Sequence, residues 1–421
     1  MAHRNDPTRR RPFPLRTAVM GVVAVAALTL LTGSQTWAAV ATQPAATKAG
    51  AMQTIGTKAA TKPRAGAAPA SARTVPPPLL SGISVGDTLP WLSRAELDRQ
   101  LQDFAALGIR SVRIDVAWRD VQADGPDRYS WARLDQVVSR AKAYGLQILG
   151  VLAYTPAWAR PAGCVSDKCA PADPAAFATF ARAAAQRYAP QGVHTWEIWN
   201  EQNTTGFWKP APDARAYASL VAATAPAIRK ADRSAVVVSG GLAAVPTGGA
   251  QIGQLDFLDQ MLAAGVAPSV DAIGYHPYTY PFPASYKATW PTGTAWNKIR
   301  DTATSFASVF ARRGVSKPVW ITEYGAPTGG PGVANGGTLT NIPSATDHVT
   351  EPRQAVIAAD ALRTAKATPG VGAFFWYGYR DFDAKGSNEG FYGLRRADGT
   401  AKPAWASIRA ELAVSSRSGR G

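Results

Sequence analysis

Eight short apolar runs, separated by segments with helical patterning, recur along most of this chain of 421 residues. They begin roughly 30 to 50 residues apart, and most are continuous hydrophobic stretches, which is typical of parallel strands covered by helices. Eight repeats of a strand and a helix favour an α/β fold, a (β/α)8 TIM barrel, over an open sheet. The predicted strands are 82–85, 111–117, 147–153, 195–199, 235–239, 270–275, 318–323 and 371–376.

Helix start and stop signals occupy the segments between these runs. The run from Ser93 to Glu96 has the form of a capping box, and Asp173 followed by proline is typical of a helix N-terminus. The last helix is predicted at 404–412. Four glycines follow helical stretches, where a residue with a positive φ commonly ends a helix: Gly108, Gly145, Gly265 and Gly314.

Residues 1–41 have the layout of a secretory signal peptide. A basic start precedes an uncharged run at 18–31, which is too short for a comfortable membrane span, and Ala39-Val40-Ala41 offers a small-residue cleavage site. Residues 8–13 partly resemble a twin-arginine export signal. We therefore expect a secreted, extracellular protein with no stable membrane span after cleavage. The alternative is an uncleaved anchor that tethers the protein outside the cell.

The rest of the chain divides by composition. Residues 42–78 are rich in Ala, Thr, Pro and Lys and contain no aromatic residue, so we predict a disordered linker. Residues 79–413 have the composition of one globular domain, which we assign to the barrel, and 414–421 are predicted to be a disordered tail. We expect a monomer.

The formal net charge of +16 does not indicate a nucleic-acid partner. Residues 1–75 contain ten basic residues and one acidic residue, so more than half of the excess lies in the leader and the linker. The remainder is spread along the body without a basic run. We interpret it as solvated surface charge, with weak attraction to acidic polymers as the only consequence.

The two cysteines, Cys164 and Cys169, lie close together in a segment rich in proline and glycine. In an exported protein this spacing predicts a local disulfide that fixes a loop. No histidine lies near them, so a metal site at this position is not expected. The four histidines of the chain, His3, His194, His276 and His348, are too scattered for a zinc-type cluster. No phosphate-binding glycine loop occurs, and we expect no cofactor and no metal.

Two glutamates follow predicted strands at one edge of the barrel. Glu201 closes the fourth strand, and Glu323 closes the seventh. The carboxyl ends of barrel strands meet at one face, so both side chains should project into one cleft. Hydrolysis of a glycosidic bond needs such a pair, one to protonate the leaving oxygen and the other to attack or to activate water. A single glutamate would be interpreted as a loop or capping residue; two at strand ends indicate chemistry.

The motifs Trp199-Asn200-Glu201 and Ile321-Thr322-Glu323 resemble those of the clan A retaining β-glycosidases, over most of residues 80–412. Within the clan the chain is most similar to glycoside hydrolase family 39 and its bacterial relatives, with family 5 next. Gln202 departs from the common pattern, in which proline follows the glutamate, and this departure loosens the family assignment.

The resemblance implies roles for several of these residues. Glu201 would be the general acid/base and Glu323 the nucleophile, with the two carboxyl groups about 5–5.5 Å apart, as a retaining mechanism requires. Asn200 would hydrogen-bond the 2-hydroxyl of the sugar. Trp376, at the end of the eighth predicted strand, would form the aromatic floor beneath the sugar.

Arg113 lies in the middle of an apolar strand, and an arginine is too costly to bury there without a carboxylate partner. Glu323 is the expected partner, because a nucleophile must stay ionised. The alternative is that Arg113 pairs only with Glu197 or Asp115 inside the barrel; Glu197 is in any case expected to be structural. His276, after the sixth strand, should orient Glu201 or contact the sugar, unless it is simply a hydrogen-bonded histidine at the start of a loop.

Aromatic residues in or beside the predicted βα-loops suggest saccharide subsites, because aromatic rings stack on the apolar faces of sugars. Packing is the alternative for each of them. The 328–347 loop, rich in Gly, Thr and Asn, is expected to wall the cleft. The six aromatic residues are Tyr154, Trp158, Phe207, Trp208, Tyr278 and Tyr280.

The sequence thus predicts an exported retaining β-glycosidase that acts on a poly- or oligosaccharide by double displacement. Two alternatives stay open. One is a non-catalytic carbohydrate-binding barrel of a polysaccharide export or cell-wall system, which would have no reason to keep both glutamates. The other is a transglycosylase, which differs only in the acceptor. Specificity resides in the loops, so xylosides, glucans, arabinosides and exopolysaccharides all fit the same core.

Overall fold

The computed structural model describes residues 79–384 and 386–418. The predicted signal peptide, 1–41, and linker, 42–78, lie outside the described residues. Eight parallel strands close into a barrel in the order β1-β10-β7-β6-β5-β4-β3-β2, which confirms the (β/α)8 prediction. The barrel strands are β1 (Leu80–Ser84), β2 (Ser111–Ala117), β3 (Gln147–Ala153), β4 (Thr195–Ile198), β5 (Val236–Ala243), β6 (Ala272–His276), β7 (Val319–Tyr324) and β10 (Val371–Tyr377).

Helices follow the strands and surround the barrel. The capping box at the start of α1 is present, with Ser93 accepting a hydrogen bond from the backbone of Glu96, and Asp173 caps α4. The four glycines predicted to follow helices all have a positive φ. The helices are α1 (Arg94–Leu107), α2 (Trp118–Val121), α3 (Ala132–Ala143), α4 (Pro174–Tyr188), α5 (Ala214–Ala231), α6 (Gln254–Ala263), α7 (Phe306–Arg313), α8 (Glu351–Ala367) and α9 (Pro403–Ser418).

Most strand bounds differ from the predictions by one to four residues, and three differences have a clear structural description. Strand β4 ends at Ile198, because Trp199 has a φ of 73°, which is incompatible with an extended strand. The 328–347 segment is not entirely a loop, since β8 (Val333–Asn335) pairs in parallel with β9 (Thr346–Val349). The last helix continues to Ser418, past the predicted end and into the predicted disordered tail. A helix held by packing extends readily, because each further residue adds one hydrogen bond.

Alternate residues of the strands face two different cores. A small cluster that includes Leu149, Val238 and Phe375 fills the interior of the barrel. A larger cluster that includes Ile83, Ile114 and many helix residues lies between the strands and the helices. No helix in the part of the chain that the structure describes is long and apolar enough to cross a membrane.

Two of the irregularities in the barrel strands lie near the carboxyl ends of β5 and β7. Between Ser239 and Leu242, β5 has one residue more than the paired stretch of β6. Between Ile321 and Tyr324, β7 likewise has one residue more than β10. Such β-bulges turn consecutive side chains toward the same side of a sheet and are common beside active sites.

Candidate active site

Arg113 of β2 is the centre of the polar network at the mouth of the barrel. Its guanidinium donates two hydrogen bonds to Glu197, from Nε to Oε2 (2.7 Å) and from Nη2 to Oε1 (3.0 Å). Its Nη1 donates to Oε1 of Glu323 (2.5 Å) and to Oγ of Ser84 (3.1 Å). Nη2 also donates to Oδ1 of Asn200 (2.8 Å). Both proposed pairings of Arg113, with Glu197 and with Glu323, therefore exist together.

Glu323 reaches this network because of the bulge in β7. The extra residue lets Thr322 and Glu323 both face inward: the Thr322 hydroxyl lies 3.3 Å from Oε1 of Glu197, and Glu323 contacts Arg113. The second oxygen of Glu323, Oε2, accepts a hydrogen bond from the Tyr278 hydroxyl (2.9 Å). Both carboxylate oxygens of Glu323 are thus held by donors.

Glu201 is placed by an irregular turn after β4. The φ values of Trp199 and Glu201 are 73° and 46°, which L-residues rarely adopt, and the backbone N–H of Glu201 donates to the carbonyl of Gly241 (2.9 Å). Backbone strain of this kind persists where the surrounding structure enforces it, often at functional sites. The Glu201 side chain is nearly fully buried, and its Oε1 lies 2.9 Å from Nδ1 of His276.

The hydrogen bonds around His276 define where its protons lie. The Thr322 hydroxyl has one proton, which it donates to Glu197, so it accepts a hydrogen bond from Nε2 of His276 (3.0 Å). Nε2 is therefore protonated. The hydrogen bond between Nδ1 and Glu201 then contains one proton, which either partner can carry.

The two glutamates have opposite electrostatic environments. Burial raises the pKa of Glu201 above its ordinary value, and this effect outweighs the hydrogen bond from His276. Burial acts in the same direction on Glu323, but the charges of His276 and Arg113 and the Tyr278 hydrogen bond outweigh it, so the pKa of Glu323 is lowered. A pair of carboxyl groups with pKa values pushed apart is suited to one acid and one ionised partner.

His276 and Arg113 carry the positive charge of the site. Burial alone would lower the pKa of His276, but the charges of Glu323 and Glu201 raise it above its ordinary value. Burial likewise opposes the charge of Arg113, and Glu197 and Glu323 outweigh it, so its pKa is raised.

One ligand atom each from Glu201, His276 and Glu323 lies within 4.8 Å of the other two. This close approach of single oxygen atoms is compatible with the carboxyl spacing of retaining glycosidases, about 5–5.5 Å. The same three residues have ligand types that could hold a metal ion. The carboxylate oxygens and the ring nitrogen that would bind the metal are already hydrogen-bonded. The guanidinium of Arg113 beside them would also repel a cation, so the residues fit a metal poorly.

The prediction for Trp376 is wrong by one residue. Trp376 pairs with Ile83 in register, belongs to the outer core and is buried there, with Nε1 donating to the carbonyl of Tyr392 (3.2 Å). The next residue, Tyr377, pairs with Ser84 and faces the mouth of the barrel, where its ring meets those of Tyr278 and Tyr392. The aromatic side chain that β10 supplies to the cleft is therefore Tyr377.

Most of the six predicted stacking residues pack instead of forming a row. Trp208 is 2% exposed and meets Trp199 edge-to-face, so its ring packs beside the turn that carries Glu201. Tyr154 and Phe207 are also buried. Trp158 is partly exposed beside the cleft, although its Nε1 is hydrogen-bonded to the carbonyl of Gln122. Their buried rings stabilise the loops that shape the cleft.

On the β6 side, Tyr278 and Tyr280 lie at the rim of the barrel. Tyr278 contacts Glu323 directly, as described above, and the Tyr280 hydroxyl is bonded to Tyr392 (3.1 Å) and Asn388 (3.3 Å). Of the six, Tyr278 is the one in contact with the carboxylate pair.

Cys164 and Cys169 form a disulfide, as the sequence predicts. It closes a turn in the loop after β3, and Thr155 ties this loop to the strand through its hydroxyl, which donates to the carbonyl of Cys169 (2.6 Å). Lys168, inside the turn, lies over the ring of Tyr154, with Nζ 3.1 Å from the ring centre. The disulfide thereby fixes a charged side chain near the mouth of the barrel.

Several residues of the site were not found from the sequence. Ser84 is a short polar residue on a strand and belongs to no motif. Thr322 lies within the Ile321-Thr322-Glu323 motif but received no role of its own, and Tyr377 was hidden by the more conspicuous Trp376. Gly241 donates from its N–H to Oε1 of Glu197 (2.8 Å), and a Cβ on it would lie 2.1 Å from Nε2 of His276. The Gly240-Gly241 pair at the end of an apolar strand is the signal that could have revealed this close approach.

The family model described as Cellulase (glycosyl hydrolase family 5) matches residues 72–350. The chain belongs to glycosyl hydrolase family 5. It is therefore a glycoside hydrolase of clan A, the clan that the sequence motifs indicate. The matching family is the second of the two that the sequence resembles, and the departure at Gln202 does not remove the chain from the clan. A search of curated protein sequences found no match.

Solved structures with the same fold come from both expected families. A family 39 glycoside hydrolase from Bacteroides cellulosilyticus WH2 is 22% identical with a TM-score of 0.59, over 80% of this chain and 64% of that one. A monomeric β-xylosidase from Caulobacter crescentus CB15 is 22% identical with a TM-score of 0.57, over 79% of this chain and 68% of that one. GH5_18 from Streptomyces cattleya is 17% identical (TM-score 0.59; 80% of each chain). The chain spans less than two thirds of the first protein, and identities this low show a common fold.

Proposed function

We propose that the protein cleaves a β-glycosidic bond of a poly- or oligosaccharide with retention, with Glu323 as nucleophile and Glu201 as general acid/base. The observation that carries this proposal is the contrast between two carboxyl groups whose oxygens approach within 4.8 Å. Glu323 is held by Arg113 and Tyr278 as an ionised group, and Glu201 shares a proton with His276.

In the first step, an oxygen of Glu323 forms a bond to the anomeric carbon. The bond from that carbon to the leaving oxygen breaks, and the leaving oxygen takes its electron pair together with the proton of Glu201. In the second step, water attacks the anomeric carbon, Glu201 takes a proton from the water, and the bond to Glu323 breaks. Each glutamate ends in the protonation state in which it began.

The neighbours of the pair have supporting roles in this scheme. Oδ1 of Asn200 accepts a hydrogen bond from Arg113, which orients the amide so that Nδ2 is left to donate to the 2-hydroxyl of the sugar. Arg113 and Tyr278 keep Glu323 ionised before attack and lose part of their attraction when its charge is consumed. His276 can supply or hold the proton that Glu201 transfers.

The decisive experiment compares sugar release by the wild type, Glu323→Gln and Glu201→Gln across aryl β-glycosides. We expect Glu323→Gln to lose turnover on every substrate. Glu201→Gln should lose turnover on alkyl or saccharide leaving groups but keep the first step on dinitrophenyl glycosides, which depart without a proton. Glu96→Gln, at the exposed N-terminus of α1, is the matched control and should be unaffected. An active Glu323→Gln variant would contradict the assignment.

The sugar itself must be found by a broad panel. One structural neighbour is named a β-xylosidase, and another was solved with GlcNAc bound. These names differ, and the identities are too low for a substrate to be transferred. The panel should therefore include β-xylosides, β-glucosides, β-mannosides and β-N-acetylglucosaminides, with added acceptor sugars to separate hydrolysis from transglycosylation by product analysis.

We further propose that the protein acts outside the cytoplasm. Two features support this: the signal-like character of residues 1–41 in the sequence, and the Cys164–Cys169 disulfide, which persists in oxidising surroundings. Fractionation of cells that express the full chain, with N-terminal sequencing of the exported form, tests both export and cleavage after residue 41. Recovery of the intact chain in the cytoplasm alone would contradict it.

A further inference from the structure

One further carboxylate, Asp115 of β2, lies on the interior side of the barrel near the catalytic pair. Asp115 lies two residues beyond Arg113 on the same strand, so its side chain points to the same interior side, one layer nearer the mouth. The residue is 92% buried, and its backbone N–H is bonded to the carbonyl of Gly86 (2.9 Å). Its carboxylate has no hydrogen-bond partner within residues 79–384 and 386–418, in contrast to Glu197, Glu201 and Glu323. Its oxygens are not among the fully buried side-chain atoms that lack a partner, so they reach the open cleft, where the hydroxyls of a ligand can take the place of water.

The charges around Asp115 restrict what that ligand can be. Arg113, Arg119 and Lys168 all lower the pKa of Asp115 by attraction, while burial and Asp87 raise it to about 7. A cationic sugar would add a positive charge where three already lie near. An acidic sugar would be repelled by Asp115 and by the nucleophile Glu323. Neutral hydroxyl donors are the remaining class that a carboxylate can bind here.

We propose that Asp115 is a specificity-determining residue whose carboxylate accepts hydrogen bonds from the 3- and 4-hydroxyls of the neutral sugar attacked by Glu323. The assignment rests on the proposed function. Asn200, beside Glu201, is placed to take the 2-hydroxyl, and Arg113 joins Asn200 to Glu323. Asp115 is the next inward residue along β2, where the sugar positions farther from the reacting carbon would lie. Two carboxylate oxygens match two neighbouring hydroxyls.

The test is a functional-group cycle on the aryl glycoside that the wild type cleaves best, with its 3-deoxy and 4-deoxy analogues and, where the sugar is a hexose, its 6-deoxy analogue. For the wild type, loss of the 3- or 4-hydroxyl should lower kcat/KM about 10- to 100-fold, the usual range for a hydrogen bond to a charged group. For Asp115→Ala, kcat/KM on the parent glycoside should fall by a similar factor. Removal of either hydroxyl from the substrate should then lower kcat/KM no further. The 6-deoxy penalty should be the same in both proteins.

Asp120→Asn is the matched control for charge. It removes one negative charge five residues further along the chain, from a side chain that is 39% exposed and paired with Arg119. Its kcat/KM should stay within about twofold of the wild type, which would separate direct contact from a general electrostatic effect. Equal 3- and 4-deoxy penalties in the wild type and in Asp115→Ala would overturn the proposal.

Failure of the proposed function is distinguishable from failure of this inference. Wild-type protein that cleaves no glycoside would contradict the function. Calorimetric titration with methyl β-xyloside, β-glucoside and β-mannoside and with their 3-deoxy and 4-deoxy analogues then tests Asp115 directly, since binding needs no turnover. Binding that requires the 3- or 4-hydroxyl in the wild type, and is lost in Asp115→Ala with an unchanged melting temperature, would support the site. Equal binding by both proteins, or no binding by the wild type, would overturn it.

Discussion

Arg113 and Glu197 form a two-bond ion pair whose side chains are only 2% and 0% exposed. Because Glu197 occupies Nε and one side of Nη2, the guanidinium plane is fixed, and Nη1 is aimed at Glu323. Glu197 is in turn held by the N–H of Gly241 and the hydroxyl of Thr322. Glu197 contacts no substrate in the proposed mechanism, but it orients the guanidinium of Arg113 toward Glu323.

Replacement of Arg113 by methionine should be severely destabilising, because Glu197 would be left buried with its charge unpaired. We expect a loss of about 3–5 kcal/mol in the free energy of unfolding, measured by urea denaturation. Arg187→Met is the control: Arg187 also makes two bonds to an aspartate, Asp135, but that pair is exposed, so about 1 kcal/mol or less should be lost. Equal losses in the two variants would contradict a special role for burial.

Tyr278→Phe should shift one limb of the pH profile. The Tyr278 hydroxyl stabilises the ionised form of Glu323, so its removal raises the pKa of Glu323. In the profile of kcat/KM the acidic limb, where the nucleophile becomes protonated, should move to higher pH, while the alkaline limb stays in place. Tyr280→Phe is the control: Tyr280 lies on the same loop as Tyr278, but its hydroxyl is bonded to Tyr392. This variant should leave both limbs unchanged. An unmoved acidic limb in Tyr278→Phe would sink the idea.

His276→Asn should move both limbs in the same direction. The charge of His276 lowers the pKa of Glu323, and its hydrogen bond and charge lower that of Glu201. Without them both pKa values rise, so the whole bell-shaped profile of kcat/KM is expected at higher pH. A profile that loses height without displacement would show that His276 serves only to position Glu201.

Gly241→Ala should damage both stability and activity, because the new Cβ would lie 2.1 Å from Nε2 of His276 and 2.7 Å from the hydroxyl of Thr322. Overpacking of this kind costs about 1–3 kcal/mol, and here the displaced group is the partner of Glu201. Gly336→Ala is the control, since its nearest neighbour would be 3.9 Å away and its φ is not positive. Thermal unfolding and kcat/KM of the two variants provide the comparison; a Gly241→Ala protein as active as Gly336→Ala would refute the packing argument.

The barrel and the carboxylate pair were predictable because both depend on pattern. Continuous apolar strands predict a parallel sheet, parallel strands bring their carboxyl ends to one face, and an arginine inside an apolar strand demands an acid. Trp376 was misassigned because facing depends on register, and a one-residue offset exchanges the two sides of a strand. Trp208 was misassigned because an aromatic residue in a loop looks the same in the sequence whether its ring is buried or stacks on a sugar. The turn at Glu201 depends on positive φ values that propensity does not predict.

The two bulges also determine which changes to this protein can be tolerated. Regular β-strands alternate, yet Thr322 and Glu323 are neighbours that both point inward. The extra residue of β5, at Gly240 and Gly241, lies on the other side of β6. Deletion of a single residue from β7 could leave every strand of the barrel intact and still turn the nucleophile toward the helices. Transplanting these side chains onto a regular eight-stranded scaffold would fail for the same reason. A variant or a transplanted site must therefore keep the number of residues in β5 and β7 as well as their identity.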